Sequence, residues 1–166
     1  HYVPLQQPLD YLIRFQNTGT DTAFTVVIRD TLDQDLDPKT VRALGSSHPY
    51  TFNLSSEGVA QFIFTNIMLP DSNVNEAASH GFVKFSIAPK AGAIDGTRIE
   101  NEAAIFFDFN EPVFTNTTWH TLGSKYLSSS NIFIPDLGLE LFPNPGTDDF
   151  NFLIKSAQTQ SGVLTI

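Results

Sequence analysis

Apolar and polar residues alternate in short runs along most of this chain, and no long stretch spaces its apolar residues at the helical interval. In Leu9–Gln16, LDYLIRFQ, the residues Leu9, Tyr11, Ile13 and Phe15 fall on one face. An apolar face of period two belongs to a half-buried strand. NTGTDT follows, where Gly19 offers the positive φ of a tight turn. AFTVVIRD alternates again through Phe24, Val26 and Ile28, so the two runs form a hairpin or face each other in a sandwich. TLDQDLDPKT breaks the pattern, and Pro38, with no N–H to give a ladder, argues against a central strand there.

Short strands are expected in TVRALGSS and PYTFNLS. A longer one is expected in GVAQFIFTNIML, with Ala60, Phe62 and Phe64 opposite Val59, Gln61 and Ile63. After the polar loop PDSNVNEAASHG, the run FVKFSIAP sets Val83, Phe85 and Ile87 on one face and Phe82, Lys84 and Ser86 on the other. KAGAIDGT reads as turns. RIENEAAIFFDFN is the longest strand signal, carrying Ile99, Asn101, Ala103, Ile105 and Phe107 on one side, and EPVFTNTTWHTL closes the series.

Roughly seven or eight short strands with turn signals every 8–12 residues predict an all-β, antiparallel two-sheet sandwich, with a small barrel as the competitor. The inward set is Leu12 or Ile13, Phe15, Val26, Ile28, Phe62 or Ile63, Val83, Phe85, Ile87, Ile105 and Phe107. After Leu122 the composition turns to GSKYLSSSN, a linker signal. A second β segment begins near Ile132 or Leu139. The predicted organisation is a sandwich over residues 1–120, a linker over 121–138 and part of a second sandwich over 139–166.

Composition sharpens this picture. The 166 residues include 15 Phe but one Met and one Trp, and 41% are hydrophobic, enough for a sizeable core. Net charge is -9, and the nine Lys and Arg are scattered, which argues against nucleic acid and anionic membrane surfaces. There is no Cys, so disulfides and thiolate metal sites are excluded. No apolar run approaches the length of a membrane span. The chain begins at His1 and stops inside an apolar pattern, so it reads as a fragment of a longer protein.

The motifs YLIRFQNTGTDTAFTVVIRDTLDQDLD, SSHPY, LPDS, SHGFVKFSIAPK and IENEAAIFFDFNEPVFTN, in that order, resemble the DUF11-like conserved-repeat, immunoglobulin-type domain of large secreted Bacteroidetes proteins. The N-T-G turn is Asn17–Gly19, the D-T-L strand end is Asp30–Leu32 and the N-x-A strand is Asn101–Ala103. ELFPNPGTDDFNFLI resembles a second family, the type A C-terminal sorting domain of the type IX secretion system. Leu141, Phe142, Pro143, Asn144, Pro145, Phe150, Phe152 and Ile154 match its hallmark; that family continues for several strands past the position of Ile166. Read physically, each Pro fixes its own φ and extends the residue before it, so Pro-Asn-Pro is a stiff corner into a strand.

Among candidate sites, Asp30, Asp33, Asp35 and Asp37 lie within eight residues. Their spacing begins like an EF-hand, but Pro38 stands where Gly is needed and Leu44 where the bidentate Glu belongs. A looser inter-strand calcium site is what remains, against a solvated turn. Asp108, Asn110 and Glu111 form a second oxygen cluster. Calcium is the one cofactor these residues suggest. Asn17, Asn101 and Asn116 are expected to satisfy backbone groups at sandwich corners. The sharper alternative is an isopeptide bond from Lys84 to Asn101, with Glu100 or Glu102 beside it. Ser47–His48 and Ser79–His80 are sequence neighbours, which on a strand point to opposite faces, so neither forms a nucleophile–base couple. Trp119, Tyr50, Tyr126 and Phe114 are weighed as a sugar platform against core packing.

No catalytic motif emerges, and the reading is a non-enzymatic stalk, spacer or filament module. The resemblances imply export through the periplasm and outer membrane to the cell surface or medium. They also imply the type IX machinery as partner of the C-terminal region, beside neighbouring domains of the same long chain and either self-association or a surface glycan. The alternative is a carbohydrate-binding accessory domain, which would show coplanar exposed aromatics or a concave acidic groove.

Overall fold

The computed structural model describes residues 1–123 and, beyond them, the strands Leu137–Phe142 and Asn151–Ser156. The chain divides into two compact units, His1–Lys125 and Tyr126–Ile166. The first contains eleven described strands: β1 (Tyr2–Val3), β2 (Leu9–Gln16), β3 (Ala23–Thr31), β4 (Arg42–Ser46), β5 (Thr51–Leu54), β6 (Val59–Leu69), β7 (His80–Ile87), β8 (Arg98–Asn101), β9 (Ala103–Phe107), β10 (Val113–Phe114) and β11 (Thr118–Leu122). Pro38–Thr40 and Ala77–Ser79 are 3-10 turns, the first capped by Asp37 and opened by Pro38, so the break in pattern read from TLDQDLDPKT is a turn.

An antiparallel five-stranded sheet, β10-β9-β3-β6-β5, packs on the three-stranded antiparallel sheet β2-β7-β4. Ring contacts cross between them, Phe62 to Phe85 at 5.3 Å and Phe15 to Phe64 at 5.3 Å. A third small sheet, β1-β11-β8, departs from the all-antiparallel expectation, because β1 runs parallel to β11.

The pleat follows the alternation closely in β2 and β7. Leu9, Tyr11, Ile13 and Phe15 are buried, as are Val83, Phe85 and Ile87. Ile13 faces the core and Leu12 is 48% exposed; Phe62 faces the core and Ile63 does not. Gly81 sits opposite Phe15, and a Cβ there would lie 2.2 Å from the Phe15 ring, so only glycine admits that side chain.

Three expectations need correction. Phe24 points outward and Ala23 is buried instead, because the β3–β6 register shifts between Ala23 and Thr25. The extra residues lie on β6, where Asn66, Ile67 and Met68 stand against Phe24 alone and Asn66 and Met68 take a positive φ, and this irregularity breaks the alternation on both strands. Gly19 does not use a positive φ; its N–H donates to the Asn17 side chain at 3.1 Å, and this turn is closed by a side chain. Finally, RIENEAAIFFDFN keeps one inward face but is two strands, β8 and β9, in different sheets, divided at Glu102.

In the second unit, β12 (Leu137–Phe142) and β13 (Asn151–Ser156) form an antiparallel hairpin, with Leu141 opposite Phe152 and Leu139 opposite Ile154. Pro143, Asn144, Pro145 and Phe150 lie outside the described residues, as does Tyr126.

Candidate functional site

The acidic run after β3 does not converge. Among the described residues no three His, Cys, Asp or Glu side chains come together as a metal ion would need. Each carboxylate whose bonding is resolved serves the protein itself. Asp33 accepts from the Asp35 N–H through Oδ1 at 2.9 Å and from the Glu100 N–H through Oδ2 at 3.0 Å, tying this loop to β8. The Asp37 carboxylate accepts from Lys39 N–H at 3.0 Å, and the Asp35 carbonyl accepts from Lys90 N–H at 2.8 Å. In the second cluster, Asp108 Oδ1 accepts from the N–H groups of Phe24 and Thr25 at 3.0 and 2.7 Å, beside the β3–β6 register shift, while Asn110 is exposed. Asp108 does this from a φ of 50°, in the left-handed region.

Asp30 behaves differently. It is fully buried, and its Oδ2 accepts from Asn101 Nδ2 at 2.9 Å across 71 residues of sequence. Burial pushes its carboxyl up to about 6, against the lowering effect of the Asn101 amide. The Asp30 Oδ1, Asn101 Oδ1, Tyr11 hydroxyl and His120 Nδ1 are buried without a hydrogen-bond partner among the described residues. Burial and then the charges of Asp30 and Asp33 push the Tyr11 phenol up, and burial lowers the His120 imidazole. The Tyr11 and His120 rings meet edge to face at 6.1 Å. A proton on Asp30 turns Oδ1 into a donor, which suits neighbours left with acceptors.

Asn17 fulfils its expected corner role, donating to the carbonyls of Asp21 and Leu69 at 2.8 and 3.0 Å. Asn101 serves a carboxylate and not the backbone, and Asn116 is exposed. Lys84 faces solvent and pairs with Asp10 at 3.1 Å, so the Lys84–Asn101 isopeptide arrangement is absent. Ser47 and His48 do meet, Oγ to Nδ1 at 2.8 Å, because they lie in the β4–β5 turn and not on a strand. Ser47 Oγ also accepts from Phe82 N–H at 2.8 Å, a strand-edge contact.

The outer face of the five-stranded sheet carries an open groove of about 910 Å³, lined by Arg29, Gln61, Glu57, Glu100, Glu102 and Phe114 among others. Arg98 pairs with Glu100 at 2.8 Å and covers the Trp119 ring at 5.1 Å; Arg29 covers Phe106 at 4.9 Å. Tyr50 packs on Phe62 and Phe64. The aromatics weighed as a sugar platform therefore split between core and surface. The acidic groove was invisible in the sequence, since its walls come from β3, β6, β8, β9, β10 and separate loops.

The sequence profile described as Domain of unknown function (DUF7619) matches residues 1–121. No curated protein matches the sequence. Among solved structures, the N-terminal domain of the Streptococcus gordonii adhesin Sgo0707 is similar with a TM-score of 0.53 and 16% identity, over 74% of this chain and 30% of that one. The chain thus spans less than a third of that domain's length. The collagen-binding subdomain of the Enterococcus faecalis surface protein ACE is similar at 0.43 and 8% identity, over 74% of this chain and 98% of its own. The Bacillus cereus major pilin subunit BcpA is similar at 0.42 and 13%, over 83% and 37%. The first likeness shows the fold, an all-β immunoglobulin-like sandwich.

Proposed function

This chain belongs to the DUF7619 family, and we propose that it is a non-enzymatic structural or adhesive module of a large secreted or cell-surface protein. Its work is mechanical: a stiff sandwich that holds neighbouring domains of the same chain apart, or packs into a filament. One observation carries this reading. In the two acidic clusters, the carboxylates of Asp33 and Asp108 are spent on backbone N–H groups and that of Asp30 on one buried amide, within a fold similar to that of an adhesin domain.

The finer reading adds the address. Residues 139–166 are the first part of a type IX sorting domain of a Bacteroidetes protein, joined by the linker 121–138 to a DUF11-like sandwich. The order of LFPNPG after the sandwich supports it, as does the hairpin register that sets Leu141 opposite Phe152. The test is deletion of everything from Leu139 onward in the native host, followed by cell fractionation. Retention inside the outer membrane is expected; normal delivery to the surface would reduce Pro143-Asn144-Pro145 to an ordinary turn.

A second reading, a carbohydrate-binding accessory domain, is favoured by the acidic groove. Glycan titration of the intact chain and of a Glu57→Gln, Glu102→Gln double variant separates the two. Saturable binding lost in the variant would establish the accessory reading over the spacer.

A further inference from the structure

Four strands of the two main sheets lie at edges, and three of them are blunted. β10 has two residues, β5 has four, and β4 is interrupted by a register shift between Ala43 and Gly45. Shortness and bulges are how sheets avoid pairing with other chains. β2 is the exception: eight residues, unbroken register, and neither Pro nor Gly within it. Its outer side forms one wall of a groove of about 710 Å³ whose other wall includes Val113 and Phe114.

The free hydrogen-bonding groups of β2 have a fixed direction. One step beyond the Gln16–His80 pair, Asn17 N–H donates to the Ser79 carbonyl at 3.0 Å. On the far side of β7, Ser47 N–H donates to the Phe82 carbonyl at 3.0 Å, so even-numbered residues of β7 bond toward β4. Antiparallel ladders alternate these directions residue by residue. The odd residues of β2 therefore bond to β7. The N–H and C=O groups of Asp10, Leu12, Arg14 and Gln16 point off the sheet, unpaired among the described residues.

These same residues carry the solvent-facing side chains, and their order is self-complementary: Asp10, Leu12, Arg14. We propose that β2 is a dimerisation edge whose occupant is β2 of a second copy, antiparallel about a twofold axis at Leu12. Asp10 then faces Arg14 of the second copy, Leu12 faces Leu12, and Arg14 faces Asp10. All three are hydrogen-bonded pairs, giving roughly six inter-chain N–H···O bonds at two per pair. Opposite charges directly across a ladder favour this register, and the half-exposed Leu12 is covered at its centre. The two three-stranded sheets become one continuous sheet.

The experiment uses the full 166-residue chain. Sedimentation velocity across a concentration series should show doubling of mass. Hydrogen exchange should slow at Asp10, Leu12 and Arg14 as concentration rises. Arg14→Asp should raise the dissociation constant at least about tenfold by setting like charges opposite, and adding Asp10→Arg should restore pairing with the charges exchanged. The chain has no Cys, so Leu12→Cys tests geometry independently of charge. Facing Cα atoms about 5.5 Å apart lie within disulfide reach, and mild oxidation should give a covalent dimer. A monomer at every concentration would overturn the proposal. So would a dimer indifferent to Arg14→Asp, failure of Leu12→Cys to cross-link, or amides already protected in the monomer, which would mean that the chain's own segment covers β2.

Discussion

Along β3, Val26, Ile28 and Asp30 share one face, yet they enter two different environments. Around Ile28 the interior is rings and branched chains: Phe62 touches Phe85 at 5.3 Å and Tyr50 at 5.5 Å, and Phe85 touches Tyr11 at 5.4 Å. Two residues further on, Asp30 meets Asn101, and among the described residues four polar atoms nearby are buried without partners. One strand, one pleat and one parity thus produce an apolar middle that stabilises by burial and a polar end that costs free energy for every atom left unpaired. The alternation decides which side chains enter the interior; only long-range pairing decides what they find there.

The comparison is open to experiment, the largest effect first. Phe85→Ala removes a ring with no exposed surface from the middle and should cost about 3–5 kcal/mol in denaturant unfolding. A loss under about 1 kcal/mol would break the contrast. At the polar end the sign depends on pH. Asp30 holds its proton up to about 6 when folded, against an ordinary 3.8 when unfolded. Between those values the folded chain binds the extra proton, so this group's contribution is full below about pH 4 and is lost as pH rises through about 6. At about 1.4 kcal/mol per unit, the loss approaches 3 kcal/mol at pH 7. Asp30→Asn, which keeps the acceptor for Asn101, should flatten that decline and leave the variant more stable than the parent at pH 7.5. An unchanged difference between the two proteins at pH 4 and pH 7.5 would mean that Asp30 is not held neutral.

Two smaller effects test whether the remaining carboxylates are structural. Asp108→Asn retains one acceptor and tolerates a positive φ, so it should cost about 1 kcal/mol and speed amide exchange at Phe24 and Thr25. Chelator should move the thermal midpoint least, by under about 2 °C. A fall above about 10 °C would mean that the acidic loop holds calcium.

Local patterns were readable in the sequence wherever strand geometry is local. LDYLIRFQ and FVKFSIAP show their buried faces directly, because period two needs no knowledge of neighbours. Phe24 breaks the local pattern because it lies opposite a bulge whose extra residues, Asn66, Ile67 and Met68, belong to another strand. The division of RIENEAAIFFDFN was hidden because Glu102 preserves the alternation while the chain passes from one sheet to another. The pairing of Asp30 with Asn101 is hidden for the same reason: one residue reads as a calcium ligand, the other as a corner amide, and nothing local joins them. Whether β2 lies inside a sheet or at its edge is likewise a property of neighbours and not of the strand.

The parallel pairing of β1 with β11 governs how the sandwich answers a pull. Tyr2 lies beside Thr121 and Val3 beside Leu122, with Thr121 N–H on the His1 carbonyl and Gly123 N–H on the Val3 carbonyl, both at 2.8 Å. Tension applied backward at residue 1 and forward at residue 123 slides these two strands past each other along their length. Their bonds are then stretched together in shear, whereas an antiparallel terminal pair loaded in the same way could open one bond at a time. Leu122 and Val3 are both buried, so sliding also drags apolar side chains from the interior. The first barrier to extension thus lies in this short seam, and a proline at Val3, which leaves the seam's carbonyls but removes one N–H and fixes φ, would shift the yield force without touching the middle of the core.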